Sequence, residues 1–353
     1  MASLLLRAEN PAQSDTLVEK KNSRFLAFPF FLRSPETNWG FGAAGVYFFK
    51  AKKNDENIRT SDLNLVSLYT LNKQIVIVLG STIYFPEEKE IFRFQGSYSY
   101  YPDKFWGYGN QTAESAEESY SIHQTYFNPQ FLRKIVNKLY VGISADYQRI
   151  TNFKYTPGGV FDLENVVGRE GGVTSGIGGL ITYDTRNSAY SPSKGGFAEF
   201  NFTGFTKKLS GDFNFSSFSI ELKKFLSIGK NRVLALHAYG KFNNGDVPVR
   251  NLSMLGGSEM MRGFYKGRYS DHHMILAQTE IRQFLFWRIG VVGFASCGRV
   301  AHEFNDFNFN HLHFAGGAGL RIMVQEKEKL NLRIDYGLAE GGSGVYVILK
   351  EAF

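Results

Sequence analysis

Segments of about ten residues, in which polar and apolar side chains alternate, recur along the chain from about residue 38 onward. In the segment FSIELK, Phe218, Ile220 and Leu222 fall on one face and the polar residues fall on the other. A period of two is the spacing of a β-strand with two unlike faces, and roughly 9 to 11 residues cross a bilayer as a tilted strand. The pattern predicts an all-β fold.

Composition and length separate a membrane barrel from a soluble sheet. The 353 residues include 33 Phe, 19 Tyr and 37 Gly at a mean hydropathy of −0.23. The sequence contains no run of about 18 apolar residues that could form a membrane helix. A soluble sandwich shows similar alternation, but so many long hairpins would make an unusually wide open sheet. Lipid requires closure because it offers backbone groups no partners, so we predict a closed antiparallel transmembrane β-barrel.

The turn signals between alternating segments indicate the number of strands. About fifteen strands can be placed, and an even number is needed if both chain ends lie on one side of the membrane, which predicts about sixteen. We expect the remaining strand between 102 and 170. The barrel is predicted to span 37–353. Residues 1–36 are interpreted as an N-terminal leader or rim segment, because Pro29 and Pro35 argue against a strand there.

Charge, cysteine and histidine content argue against several classes of function. The formal net charge is +7, but the cations are scattered and no nucleic-acid-binding motif is present. Cys297 is the single cysteine, so an internal disulfide is impossible. His272 and His273 are adjacent and point to opposite faces of a strand, while His311 and His313 share a face without a visible third ligand. We predict no catalytic residue, no metal, no cofactor and no nucleic-acid partner.

One connection between strands differs from the others in composition. Its sequence is GGSEMMRGFYKGRYSD, residues 256–271, with four glycines, three aromatic residues and three cations. Glycines permit tight turns and a close approach to neighbouring backbone. The residues of greatest interest in this loop are Arg262, Gly263, Phe264, Gly267 and Arg268.

This loop resembles the large extracellular loop of the BamA/TamA superfamily of outer-membrane barrels, of the surface-antigen type, which carries an Arg-Gly-Phe/Tyr core. A second cluster, LITYDTRNSAYSPSKGGF, is similar to a turn of the same family that contains Tyr-Asp-x-Arg and Pro-x-Lys-Gly and faces the periplasm. The matching residues are Tyr183, Asp184, Arg186, Pro192, Lys194 and Gly195. The segment LRIDYG and the closing EAF are also similar, so the resemblance covers roughly 37–353.

The resemblance implies that the loop folds back into the lumen and that Arg262 contacts the wall. A guanidinium in a partly desolvated lumen needs acceptors, and a carboxylate suits it best. The family offers an aspartate in a Phe-x-Asp-x-Gly motif, whereas this chain has FASCG with Ser296 at that position. Strand alternation makes Glu280 the first candidate partner, with Glu259 and Asp271 as alternatives. Bracing of the loop through backbone carbonyls and water is the other interpretation.

The first and last barrel strands, at about 38–50 and 344–353, are expected to meet at a weakly closed seam. The residues that mark this predicted seam are Gly40, Gly42, Gly45, Gly344 and Phe353. Glycines weaken a strand ladder, and an open seam could pair its edge with an incoming strand. The alternative is that these glycines only curve the wall.

The resemblance implies a non-enzymatic role in assembly, insertion or translocation of outer-membrane proteins. A structural or accessory barrel, as a homodimer or as a subunit of a larger complex, is the alternative, and a small pore is a third. Family members carry periplasmic POTRA modules, and the residues before the barrel are too few for one. The expected location is the outer membrane of a Gram-negative bacterium, with lipid, lipopolysaccharide and other outer-membrane proteins as partners. The chain start lacks an apolar signal core, so a signal peptide is expected to be absent or removed.

Overall fold

The computed structural model describes residues 23–51, 58–188, 190–308, 310–326 and 329–353. Within these residues, sixteen strands form a closed antiparallel barrel and two short strands form a separate ribbon, which confirms the predicted fold class. The barrel strands are β1 (Ser23–Ser34), β2 (Asn38–Phe49), β3 (Ser61–Thr70), β4 (Ile75–Tyr84), β5 (Glu90–Phe105), β6 (Glu118–Val136), β7 (Leu139–Lys154), β8 (Gly172–Asp184), β9 (Gly195–Phe205), β10 (Phe215–Ser227), β11 (Arg232–Gly245), β14 (His273–Phe286), β15 (Ile289–Ala301), β16 (His313–Gln325), β17 (Leu330–Ala339) and β18 (Gly342–Leu349). The ribbon pairs β12 (Ser253–Leu255) with β13 (Tyr269–Asp271). No described helix is both long and apolar enough to cross a membrane.

Side-chain burial alternates along the barrel strands, as a period of two requires. In β14, Ile275 and Ile281 are exposed, whereas Gln278, Glu280 and Arg282 are buried. Residues paired across antiparallel strands share a face, so the same division continues around the wall. The outward face therefore presents apolar side chains, and the inward face carries polar and charged ones.

The longest connections between barrel strands lie at one end of the barrel. At this end, which we call the long-loop end, the chain runs through 106–117, 155–171 and 302–312. At the other, the short-turn end, it reverses within 137–138 and 287–288. The ribbon and the one-turn α-helix α1 (Val160–Leu163) belong to the long-loop end.

The sixteenth barrel strand is β1, not a strand between 102 and 170. β1 pairs with β2 along its whole length, from Ser23 opposite Phe49 to Ser34 opposite Asn38. The interpretation of 1–36 as a leader or rim segment outside the barrel is therefore wrong for β1, and the barrel begins before residue 37. Residues 1–22 lie outside the described part of the chain.

The joint between β1 and β18, which we call the seam, is paired much less than its neighbours. Among the described residues, register pairing at the seam occurs between Arg33 and Val347. By contrast, β17 pairs with β18 over the full length of the shorter strand. Pro29 is tolerated in β1 because a proline, which lacks an N–H, costs little on a strand with a sparsely paired edge.

Three of the predicted seam glycines lie one strand away from the seam. Gly40, Gly42 and Gly45 are on β2, so the first seam strand is not 38–50 as predicted. A Cβ on Gly42 would clash with the backbone oxygen of Ser67 on β3 and lie 2.7 Å from the ring of Phe30 on β1, so this glycine makes room for both neighbouring strands.

The other two predicted seam residues lie at or beyond β18. Gly344 is on β18, where a Cβ would lie 2.8 Å from the side chain of Pro35. Phe353 lies beyond β18, packs against Phe225 and stacks on His237 with ring centroids 4.9 Å apart. It is therefore buried beside β10 and β11 and does not line the seam.

Candidate functional site

Residues 256–271, which we call the arginine loop, comprise the connection between the two ribbon strands and the second of those strands, β13. Its four glycines all have positive φ, a conformation that side chains other than glycine adopt only at a cost. At Gly263, where φ is +123°, a Cβ would lie 2.7 Å from the carbonyl carbon of Leu338 on β17. The absence of a side chain there allows the loop backbone to approach the wall.

Arg262 lies at the point where the arginine loop meets the wall and is 1% exposed. Its guanidinium donates to Asp335 on β17 at 2.5 Å and to Glu280 on β14. It also lies 3.6 Å from the ring centroid of Phe294 on β15. The contact with Glu280 is the one that strand alternation predicted, and Asp335 is a second acceptor that the sequence analysis missed.

The two carboxylates belong to a larger ionic network of buried side chains. Its members are Arg262, Glu280, Arg282, Arg321, Arg333, Asp335 and Glu351. Each carboxylate contacts at least two guanidiniums: Arg282 lies 2.7 Å from Glu280, and Arg321 lies 2.7 Å from Glu351. Several partners per charge are needed to offset the cost of removing these groups from water.

The remaining candidate partners of Arg262 make other contacts. The hydroxyl of Ser296 donates to the β16 backbone at 3.2 Å. Glu259 pairs with Lys350 at 2.9 Å, and Asp271 accepts from the following backbone N–H at 2.8 Å. None of the contacts described for these three residues involves Arg262. Arg262 therefore finds its carboxylate partners on β14 and β17, and not at the position where this chain has Ser296.

The arginine loop contacts residues on both sides of the seam. The N–H of Gly263 donates to the Tyr346 hydroxyl on β18 at 2.9 Å. The N–H of Lys266 donates to the carboxylate of Glu36, just after β1, at 2.6 Å. Both acceptor residues are buried. One loop therefore joins two strands that hardly pair with each other.

The far side of the arginine loop is fixed to the end of β5 and to the connection after it. Arg268 donates to the hydroxyl and to the carbonyl of Thr112, both at 2.8 Å, and lies over the ring of Tyr269. Tyr265 donates to Asp103 at 3.0 Å. Burial and the neighbouring Asp103 charge raise the pKa of the Tyr265 phenol, so it stays protonated and can donate.

Phe264 anchors the arginine loop through apolar packing. Its side chain is 2% exposed and belongs to a buried cluster with Leu255 and Met261. Gly267, with φ of +81°, donates its N–H to the carbonyl of Leu255 at 2.8 Å. The loop is thus held by packing, by backbone hydrogen bonds and by the ionic network together.

The second motif forms an ordered turn at the short-turn end. Arg186 donates to both carboxylate oxygens of Asp184, at 2.9 and 3.1 Å, and Arg59 donates to the same carboxylate at 3.0 Å. Pro192 is buried, and Gly195 has φ of +95°. These contacts tie the connection between β8 and β9 to the end of the wall.

Replacement of Gly263 by alanine is expected to detach the arginine loop without altering any residue of the ionic network. A backbone in this conformation costs about 1–3 kcal/mol without glycine, and the clash with Leu338 adds to that cost. Gly267→Ala is the control for the backbone cost alone, because Gly267 also has a positive φ (+81°) but its Cβ would have its nearest neighbour at 3.5 Å, the Ser270 hydroxyl. Limited proteolysis within 256–271 measures the effect, and equal cleavage of both variants and the parent would contradict it.

Comparison with known proteins identifies the family of the barrel. A model of the Omp85 superfamily domain matches residues 51–342. BamA from Haemophilus ducreyi lacking POTRA domains 1–3 is 11% identical with a TM-score of 0.61, over 93% of this chain and 70% of that chain. A search of curated protein sequences found no match.

Two structures of CdiB show the same fold. CdiB from Acinetobacter baumannii is 14% identical with a TM-score of 0.60, over 92% of this chain and 59% of that chain. CdiB from Escherichia coli is 10% identical with a TM-score of 0.61, over 92% and 62%. At these identities the likeness concerns the fold. Because the family match spans most of the chain, this protein belongs to the Omp85 superfamily and is an outer-membrane β-barrel.

Proposed function

We propose that this barrel inserts or translocates other outer-membrane proteins through the seam between β1 and β18. The observation that carries the proposal is how little the seam pairs: among the described residues, β1 and β18 share one register pair, Arg33 with Val347. A strand edge with unpaired N–H and C=O groups is a template for an incoming strand. Membership of the Omp85 superfamily supports an insertion or translocation role at the family level.

We further propose that the arginine loop occupies the lumen and controls the seam. Support comes from the partners of Arg262, since Glu280, Phe294 and Asp335 project from three different strands of one stretch of wall. The bonds to Tyr346 and Glu36 would hold the seam closed while the loop is docked. Release of the loop would remove these two bonds together and free the edge of β1.

A structural or accessory barrel is the second candidate function, and one observation favours it. The ionic network buries four guanidiniums and three carboxylates around the arginine loop, and removing one partner of such a network is costly. A loop held this firmly would keep the seam shut. In that case the outward face would contact a constant partner, either a second copy or another subunit, in place of transient clients.

A photo-crosslinking phenylalanine analogue at Phe31 is expected to capture incoming barrel proteins in the outer membrane. Phe31 is on β1 and is 50% exposed on the outward face. Phe202 is the matched control, because it is the same residue type, is 53% exposed and lies on β9, half the barrel away. Crosslinked products are identified by mass spectrometry after denaturing purification.

The identity of the crosslinked products separates the two functions. Several different barrel proteins at Phe31, with few at Phe202, would support insertion through the seam. One constant product at either position would support the accessory role. If both positions give the same products and these contain lipid but no protein, the proposed function is contradicted.

A further inference from the structure

Three side chains with metal-binding atoms meet at the long-loop end. Asp271 ends β13, His272 precedes β14, and His302 follows β15. The Nδ1 atom of His302 lies 3.0 Å from Oδ1 of Asp271 and 3.1 Å from Nδ1 of His272. The third separation, from His272 Nδ1 to Asp271 Oδ1, is 3.5 Å.

These separations match those of ligands around a single metal ion. Donor atoms at about 2.0–2.1 Å from a tetrahedral Zn²⁺ lie about 3.3 Å from one another. We propose that Asp271, His272 and His302 bind one divalent transition-metal ion of the zinc class. Two imidazoles and one carboxylate are a donor set suited to zinc, copper or nickel and poorly suited to calcium or magnesium.

The three atoms can also be satisfied by one shared proton. A neutral imidazole Nδ1 carries either a proton or a lone pair. If His302 carries its proton at Nδ1, that N–H is shared between Asp271 Oδ1 at 3.0 Å and His272 Nδ1 at 3.1 Å. A metal ion would replace this single proton and accept one lone pair from each of the three atoms.

The backbone and the neighbouring side chains hold His272 in this position before any ion arrives. Its carbonyl accepts from the side chains of Asn243 and Ser253, both at 2.9 Å. The ring of Tyr108 stacks on its imidazole with an interplanar angle of 10°. A site whose ligands are already oriented loses less entropy when it binds.

The site is accessible from solvent and open on one side. Asp271 is buried, but the His302 side chain is 58% exposed. Both residues line a cavity of about 760 Å³ that also contains Asp306 and His311. Three protein ligands leave a coordination position for water. Binding would join the corner between β13 and β14 to the connection 302–312 and brace the long-loop end.

The test uses the full chain without a histidine tag, refolded in detergent and treated with a chelator. Co²⁺ is titrated while visible absorption is recorded, and Zn²⁺ is then added as a competitor. We expect one ion per chain, with the absorption bands of a tetrahedral nitrogen and oxygen site. His302→Ala should weaken binding by about 100-fold or more, because it removes a direct ligand. This variant changes an exposed loop side chain, so the barrel should fold normally.

His273→Ala is the matched control, since this histidine is adjacent to the site and its ring packs on Phe242 and Phe307. Its binding should equal that of the parent. Asp271→Asn should also weaken binding. The proposal is overturned if the parent binds no stoichiometric ion, if His302→Ala binds like the parent, or if His273→Ala loses binding to the same extent. None of these results depends on the proposed function of the seam.

Discussion

A disulfide across the seam is expected to lower the levels of other outer-membrane barrels sharply in cells that depend on this protein. The change is Arg33→Cys with Val347→Cys in a Cys297→Ser background. The two seam positions are direct register partners, so the bond can form without displacement of the strands. Once closed, β1 has no free edge with which to pair an incoming strand. The measurement is the amount of folded barrel protein in outer-membrane fractions, before and after addition of a reductant.

The matched control keeps the cysteine at Val347 and moves the other one to Ile334. Ile334 is the register partner of Val347 on the opposite side, within the continuous ladder between β17 and β18. This disulfide uses the same cysteine at position 347 but links two strands that are already fully paired. The levels of other barrel proteins should therefore remain normal. Reduction should restore function in the seam variant. Normal barrel levels in both oxidised variants would eliminate insertion through the seam and favour the accessory role.

The barrel and most of its strands could be predicted from sequence because their signal is local. The alternation of Phe218, Ile220 and Leu222 with polar residues indicates the apolar face of this strand, and no information from other strands is needed. The missed strand, β1, could not be recognised from its own sequence in this way. Pro29 argues against a ladder position, and it is acceptable only because the neighbouring edge pairs with β18 so sparsely. That fact concerns the closure of the whole sheet and cannot be read from the segment itself.

The contacts of Arg262 show the same division between local and distant information. Glu280 was predictable because alternation fixes the face of every β14 residue. Asp335 was not, because its approach to the same guanidinium depends on the register of β14, β15, β16 and β17 together. A signal was present: Arg333 and Asp335 alternate in LRIDYG, and two opposite charges on one face of a strand indicate a polar interior. The pairing of His272 with His302 likewise depends on two loops that only the folded barrel brings together.

Arg262→Ala is expected to release the arginine loop from the wall while the barrel remains folded. Removal of one partner from a buried ionic contact typically costs about 3–5 kcal/mol, because the remaining charges keep their desolvation cost. Here Glu280 and Asp335 each lose a donor, although Arg282 and Arg333 still contact them. The variant therefore destabilises the docking of the loop more than it destabilises the barrel. Faster protease cleavage within 256–271 and higher single-channel conductance in planar bilayers measure the release.

Arg268→Ala is the matched control, because it removes the same side chain from the same loop but contacts Thr112 outside the ionic network. It should raise cleavage and conductance less than Arg262→Ala does, because it removes the hydrogen bonds to Thr112 but leaves the ionic network intact. Glu280→Gln should reproduce part of the Arg262→Ala effect, and the double variant should add little to Arg262→Ala alone, because both changes break the same contact. Fully additive effects would show that the two residues act separately. Because Gly263 and Lys266 bond to the two sides of the seam, a released loop should also slow disulfide formation between cysteines at positions 33 and 347, which are register partners in the closed seam. If cleavage rises but the seam cysteines react at the parent rate, the loop blocks the lumen without controlling the seam.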